Sequence, residues 1–140
     1  MALQRSELSL GQTFEQVVVD NLTRTQIVQY AGASGDFNPL HTDEVYATQV
    51  AGYPSVFAHG MLTMGMTSRM VTDVVGDGRL TQFGGRFLNQ VWPGDTLTST
   101  AEVTEIVDAL DEPLVRLKVT TVNQGGGAVF VGEACARLDR

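Results

Sequence analysis

Asp36 and His41 stand five positions apart in the run Gly35-Asp36-Phe37-Asn38-Pro39-Leu40-His41. A carboxylate and an imidazole within reach of one water can move protons near neutral pH, because histidine titrates close to that range. Pro39 stiffens the loop between them, since it lacks a backbone donor and pushes Asn38 out of the helical region. The plainer reading is local: Asp36 and Asn38 hydrogen-bond nearby backbone in Asx-turns and His41 is an ordinary loop histidine. Taken by themselves these residues favour the plainer reading, since short polar pairs on loops are common.

The second candidate is Ala58-His59-Gly60, just before the most apolar stretch of the chain. A helix start there would expose backbone N–H groups carrying partial positive charge, suited to an oxyanion. Gly60 has no side chain to hold a substrate oxygen away from its own N–H, although it could equally serve only a tight turn. His59 is read as satisfying the helix end. Asp36, His41 and His59 match no metal-ligand spacing, so no metal is assigned. Ser68, a polar residue in an apolar helix, reads first as a serine bonded back to its own helix. Methionines around it fill the core and could line a tunnel for an apolar chain.

The elements that must hold these residues follow from pattern. Gly11 to Val19 reads as a strand with Phe14, Val17, Val18 and Val19. Thr23-Arg24-Thr25-Gln26 has the form of a capping box and predicts a short helix burying Ile27, Val28, Tyr30 and Ala31, ended by Gly32 to Gly35. Thr42-Asp43-Glu44 can start another, capped by Thr42 and burying Val45, Tyr46 and Val50. From Gly60 to Val75, sixteen residues would make a helix roughly 24 Å long, apolar on most faces and so enclosed by protein. Gly65 is tolerable within it if something packs close.

Four strands are expected after it: Thr81 to Val91, Thr96 to Ile106, Leu114 to Asn123 and Ala128 to Leu138. The turns between them are Trp92 to Asp95, Asp108 to Pro113 and Gly125 to Gly127. The last strand shows Phe130, Gly132, Ala134, Ala136 and Leu138 on one face, small enough for a helix to lie close. Four consecutive hairpin-linked strands after one apolar helix describe an α+β domain, an antiparallel sheet curled around that helix. Its open edge is one that dimerisation could close.

The chain has 140 residues and a net charge of -7, one domain on length. That charge argues against nucleic acid, which needs a basic footprint, although Arg69, Arg79, Arg86, Arg116, Lys118 and Arg137 could still converge on an anionic ligand. The lone Cys135 leaves no internal disulfide to form and reads as a small buried strand residue. No apolar run suits a signal peptide or a membrane span, so a soluble, cytoplasmic protein is expected.

The run from Tyr30 to Asp43, YAGASGDFNPLHTD, resembles the hydratase 2 motif of the MaoC-like (R)-specific enoyl-CoA hydratases and dehydratases, a hotdog-fold family. AHGML at Ala58 to Leu62 is similar to the family's second landmark, and FLNQVWPGDTL at Phe87 to Leu97 to its later strand and turn. The resemblance reverses the reading of Asp36 and His41. It implies that these two hold the water added to a trans-2-enoyl thioester, that Asn38 supports them, and that the Gly60 N–H is the oxyanion donor. A serine near the site in some members would fall on Ser68. It further implies coenzyme A or acyl carrier protein as the substrate's handle, no metal or redox cofactor, and a homodimer with two sites, heterodimers also occurring among relatives.

Three functions compete on this sequence. An (R)-specific 2-enoyl-CoA hydratase leads, followed by a 3-hydroxyacyl-ACP dehydratase, the same chemistry reversed on a carrier protein. A non-catalytic acyl-thioester-binding subunit is disfavoured by the intact Asp36, Asn38 and His41, because binding needs no proton shuttle. A hotdog thioesterase fits the constellation less well.

Overall fold

Capping chemistry sets where the helices start and stop. A computed structural model describes residues 3–109 and 111–140; residue 110, inside the expected turn Asp108 to Pro113, and residues 1–2 lie outside that description. Helix α1 (Arg24–Ser34) opens on the expected capping box: Gln26 N–H donates to Thr23 Oγ1 at 3.1 Å and Thr23 N–H to Gln26 Oε1 at 2.8 Å. It ends at Gly35, whose φ of 75° is left-handed and whose N–H returns to the Ala31 carbonyl at 3.0 Å. Another residue there would cost roughly 1–2 kcal/mol. Ile27 and Ala31 are buried, whereas Val28 is exposed.

The next helical segment differs from expectation. Its cap is Asp43, whose Oδ1 accepts from Tyr46 N–H at 3.0 Å, not Thr42. A wide π-turn follows over Tyr46–Val50 and buries only Ala47. Val45, Tyr46 and Val50 stay on the surface.

Helix α2 (Gly60–Val75) has the expected bounds and is stopped by Gly76, whose N–H reaches the Thr72 carbonyl. It is not enclosed on most faces. Thr63, Thr67, Met70, Val71 and Val75 form a buried stripe, while Met61, Gly65, Arg69 and Asp73 are exposed at a spacing of four residues, one side of the helix. A Cβ at Gly65 would meet nothing within 4 Å, so within one chain nothing packs close there.

Five antiparallel strands carry α2: β1 (Thr13–Val19), β2 (Leu80–Phe87), β3 (Leu97–Val107), β4 (Leu114–Val122) and β5 (Ala128–Arg137). Their order is β1-β3-β4-β5-β2, which corrects the expected run of four hairpin-linked strands. Only β3, β4 and β5 form successive hairpins. β2 lies at the far edge against β5, and the chain then returns through Trp92 to Asp95 to start β3 beside β1. The strand expected to reach Val91 stops at Phe87. Beyond it, the Val91 carbonyl accepts from Ala58 N–H at 2.8 Å and so pins the approach to α2.

Register explains the small residues of β5. Gly132 faces Gly85 of β2, and a Cβ on Gly132 would collide with the Gly84 carbonyl. Close approach of β2, rather than of α2, therefore demands glycine at that position. Across the inner face, Met70, Val71 and Val75 of α2 pack on Ala101, Val115 and Leu117. One polar node interrupts this core. The hydroxyls of Thr67, Ser99 and Thr121, all fully buried, bond one another: Thr121 with Thr67 at 2.7 Å and with Ser99 at 2.6 Å. Among the described residues no helix is long and apolar enough to cross a membrane.

Candidate active site

Gly35 turns the chain out of α1 so that Asp36 leads the loop. Asp36 N–H donates to Ser34 Oγ at 3.2 Å, Asn38 N–H to Asp36 Oδ1 at 3.3 Å and Leu40 N–H to Asn38 Oδ1 at 3.0 Å. The Asx-turns are thus real. They do not compete with a chemical role, because a carboxylate has acceptor sites to spare and Asp36 is exposed. Asn38 is committed to the loop itself.

His41 is nearly buried and held from both directions. Its Nδ1–H donates to the Phe57 carbonyl at 2.6 Å, and Phe57 N–H donates to the Leu40 carbonyl at 3.2 Å. That bond fixes the neutral tautomer and leaves the Nε2 lone pair free to accept a proton. Glu44, not singled out from the sequence, fastens the Phe57 segment. Its carboxylate takes Arg24 Nη1 at 2.6 Å and Val56 N–H at 3.2 Å, and the Arg24 guanidinium, followed by the Val56 N–H, holds the Glu44 carboxyl below its ordinary value.

His59 stands at the N-cap position of α2 and its carbonyl accepts from Leu62 N–H at 3.1 Å, but its side chain makes no capping bond. Its Nε2–H instead donates to the Asp36 carbonyl at 3.0 Å. Its ring stacks on that of His41, with centroids 3.8 Å apart, and takes an edge-on contact from Tyr30 at 4.8 Å. Burial pushes its pKa below the ordinary imidazole value and the neighbouring His41 acts the same way, opposed by the hydrogen bond to Asp36. The role expected for His59 at the helix end is therefore replaced by one between the two candidate acid–base groups. Only the adjacency of a second histidine to Gly60 hinted at this in the sequence.

Asp36, His41 and His59 each offer a ligand atom, all within 4.8 Å of one another. Stacked imidazoles inclined by only 25° send their in-plane lone pairs side by side rather than toward one point, a poor fit to a tetrahedral ion with nitrogen ligands about 2.0–2.1 Å away. The arrangement suits a water between carboxylate and imidazole better than a shared ion.

Gly60 is the first residue of α2, where an N–H lacks an intrahelical acceptor. A cleft of about 280 Å³ opens beside it, lined by Phe57, Gly60, Thr63, Phe87, Val91 and Val129 among others. The larger groove, about 570 Å³, runs over β2, β4 and β5 with Arg86, Arg116 and Lys118 on it and includes none of the residues above. Two of its cations have acids beside them: Arg116 pairs with Glu105 at 3.0 Å and Lys118 lies opposite Glu133 and Glu102. Ser68 donates to the Gly65 carbonyl at 2.7 Å, eight residues and so about 12 Å along the helix from Gly60. It is thus bonded back to its own helix, apart from Gly60 and from the cluster of Asp36, His41 and His59.

A family model described as the MaoC like domain matches residues 5–124. The chain belongs to the MaoC-like hydratase/dehydratase family. This MaoC-like chain is 31% identical over 116 residues to an (R)-specific enoyl-CoA hydratase of Aeromonas caviae, covering 81% of the chain and 84% of that protein. With the (R)-specific enoyl-CoA hydratase of Rhodospirillum rubrum it shares 35% over 115 residues, 81% of the chain and 77% of the relative. The unliganded R-hydratase PhaJ1 of Pseudomonas aeruginosa superposes with a TM-score of 0.84 at 30% identity, over 99% of this chain and 87% of that one. The fold is the hotdog fold. Against the 3-hydroxyacyl-thioester dehydratase Y of Mycobacterium tuberculosis, 38% identical over 90 residues, 62% of the MaoC-like chain spans only 31% of the relative; for that organism's enoyl-CoA hydratase ChsH3 the span is 23%.

Proposed function

We propose that this chain is an (R)-specific 2-enoyl-CoA hydratase, a hydro-lyase that adds water reversibly to a trans-2-enoyl thioester and yields the (R)-3-hydroxyacyl thioester. The observation that carries this reading is the convergence of the Asp36 carboxylate and the His41 ring beside the start of α2. A water hydrogen-bonded to Asp36 and to His41 Nε2 attacks the β-carbon. Its proton passes to that pair while negative charge develops on the thioester oxygen. The Gly60 N–H and the α2 start stabilise that charge. The proton then reaches the α-carbon on the same face, so hydroxyl and hydrogen add together and no electron leaves the substrate. No metal or redox cofactor is needed. Run backwards, the same groups dehydrate.

Coenzyme A is the handle in this reading, with acyl carrier protein the alternative. The working unit is a homodimer. The outer edge of β2 and the exposed Met61 side of α2 support that assembly, because an unpaired sheet edge and uncovered apolar residues both favour association.

The test is hydration of crotonyl-CoA, followed by loss of enoyl thioester absorbance and chiral analysis of the product. Turnover to the (R) product that falls by about 10² or more in Asp36→Asn and His41→Gln, both folded, is expected. Variants as active as the parent would remove both residues from the mechanism.

A further inference from the structure

His59 touches both halves of the proposed acid–base pair, yet neither the turn chemistry of the loop nor the capping of α2 uses its side chain. Its ring lies on His41 at 3.8 Å and its Nε2–H is bonded to the backbone of Asp36 at 3.0 Å. The next residue is Gly60, at the start of α2. Only 2% of His59 is exposed, so water does not compete for either contact. The titratable groups shown facing it are Asp36 and His41 from the loop and Tyr30 from α1.

We infer that His59 is a positioning residue of this site: its ring braces the imidazole of His41 while its Nε2–H holds the Asp36 carbonyl, so that one side chain fixes acid, base and the Gly60 amide relative to one another. The two contacts are separable. A carbonyl acceptor requires Nε2–H on His59, just as the Phe57 carbonyl requires Nδ1–H on His41. The neutral rings are therefore opposite tautomers, stacked face to face. His59 Nδ1 carries the remaining lone pair and has no hydrogen-bond partner among the described residues, so the ring is held by the Asp36 carbonyl, the His41 stack and the edge of Tyr30. Burial disfavours the charged form of His59, and its neutral ring would present an uncharged aromatic face to His41 when that residue takes the proton from water. Displacement of reacting groups by about 1 Å costs on the order of 10²-fold in rate, and the brace acts on that scale.

This inference rests on the hydratase reading for its kinetic consequence but not for its structural one. The chain has two histidines, so ring ¹⁵N spectra of the whole protein, recorded at alkaline pH and assigned with His41→Gln, show both tautomers directly. One Nδ1–H ring and one Nε2–H ring are expected. His59→Gln keeps a donor for the Asp36 carbonyl and loses the ring; His59→Phe keeps the ring and loses the donor. With crotonyl-CoA each should lower kcat about tenfold or more, with KM within about twofold. In His59→Gln, His41 should drift to a mixture of tautomers. In His59→Phe it should stay Nδ1–H, because its brace remains. Two rings of the same tautomer in the parent, parental kcat in either folded variant, or a loss of kcat matched by an equal loss of folded protein would each overturn the assignment. A parent inactive on every enoyl thioester would sink the hydratase reading alone, and the tautomers would still decide the place of His59.

Discussion

A Cβ built on Gly60 would lie 3.0 Å from both Cδ2 and Cε2 of Phe87. The missing side chain therefore admits the Phe87 ring over the start of α2, and that ring forms a wall of the cleft beside the Gly60 amide. Gly60→Ala should push the ring aside rather than unfold the protein, because Phe87 is 48% exposed and can yield. The expected result is a change in stability below about 1.5 kcal/mol with kcat/KM on crotonyl-CoA reduced about tenfold or more. Adding Phe87→Leu, which restores room, should recover part of the loss. Identical kinetics in the single variant would detach Gly60 from the reaction.

The hydroxyls of Thr67, Ser99 and Thr121 predict a non-additive response. Removing the central one, as in Thr121→Val, takes the short partner from both Thr67 and Ser99 and should cost about 1–3 kcal/mol in urea unfolding. The triple variant Thr67→Val, Ser99→Ala, Thr121→Val removes every unpaired group and should cost much less than the sum of its parts. Strictly additive costs would mean that the cluster is three separate contacts.

That cluster was half legible in the sequence. Ser99 falls on the parity of Leu97, Ala101 and Val103, and Thr121 on that of Val115, Leu117 and Val119, so alternation alone aims both at the core. What alternation lacks is the partner across the fold. The same gap explains β2: its residues read as a strand, but nothing in them says that it skips β3 and pairs with β5. Local chemistry was readable wherever it was local, at the Thr23 capping box, at the bounds of α2, and in the loop from Asp36 to His41. His59 was misread because its partners lie 18 and 23 positions away, and its neighbour Gly60 invited a capping role. The exposed side of α2 was misread because apolar composition counts residues without saying which of them the fold leaves uncovered.

Uncovered residues make the oligomeric state testable. Met61 is 55% exposed, on the side of α2 where Gly65 has open space. Met61→Asp should barely alter the folding of one chain, within about 0.5 kcal/mol for a surface site. In sedimentation velocity it should convert a dimer to monomers and reduce hydratase turnover with it. A parent that sediments as a monomer and is active would end the dimer reading.

Protonation of His59 gives a dependence of stability on pH whose sign is fixed. Burial lowers its pKa in the folded state from the ordinary imidazole value of 6.5, so below that value the unfolded chain binds a proton that the folded chain resists. Stability contributed by neutral His59 is therefore present above about pH 6.5 and is lost as pH falls toward the folded-state pKa. The carboxylates held low by arginine, Glu44 and Asp108, lose their contribution only in more acidic solution, below the ordinary carboxylate range of about 4. Thermal melting between pH 7.5 and 5.5 should accordingly show Tm falling in the parent and falling less in His59→Phe, which has no proton to accept at that position. A parental slope that survives the substitution would assign the dependence to other groups and leave His59 electrostatically silent.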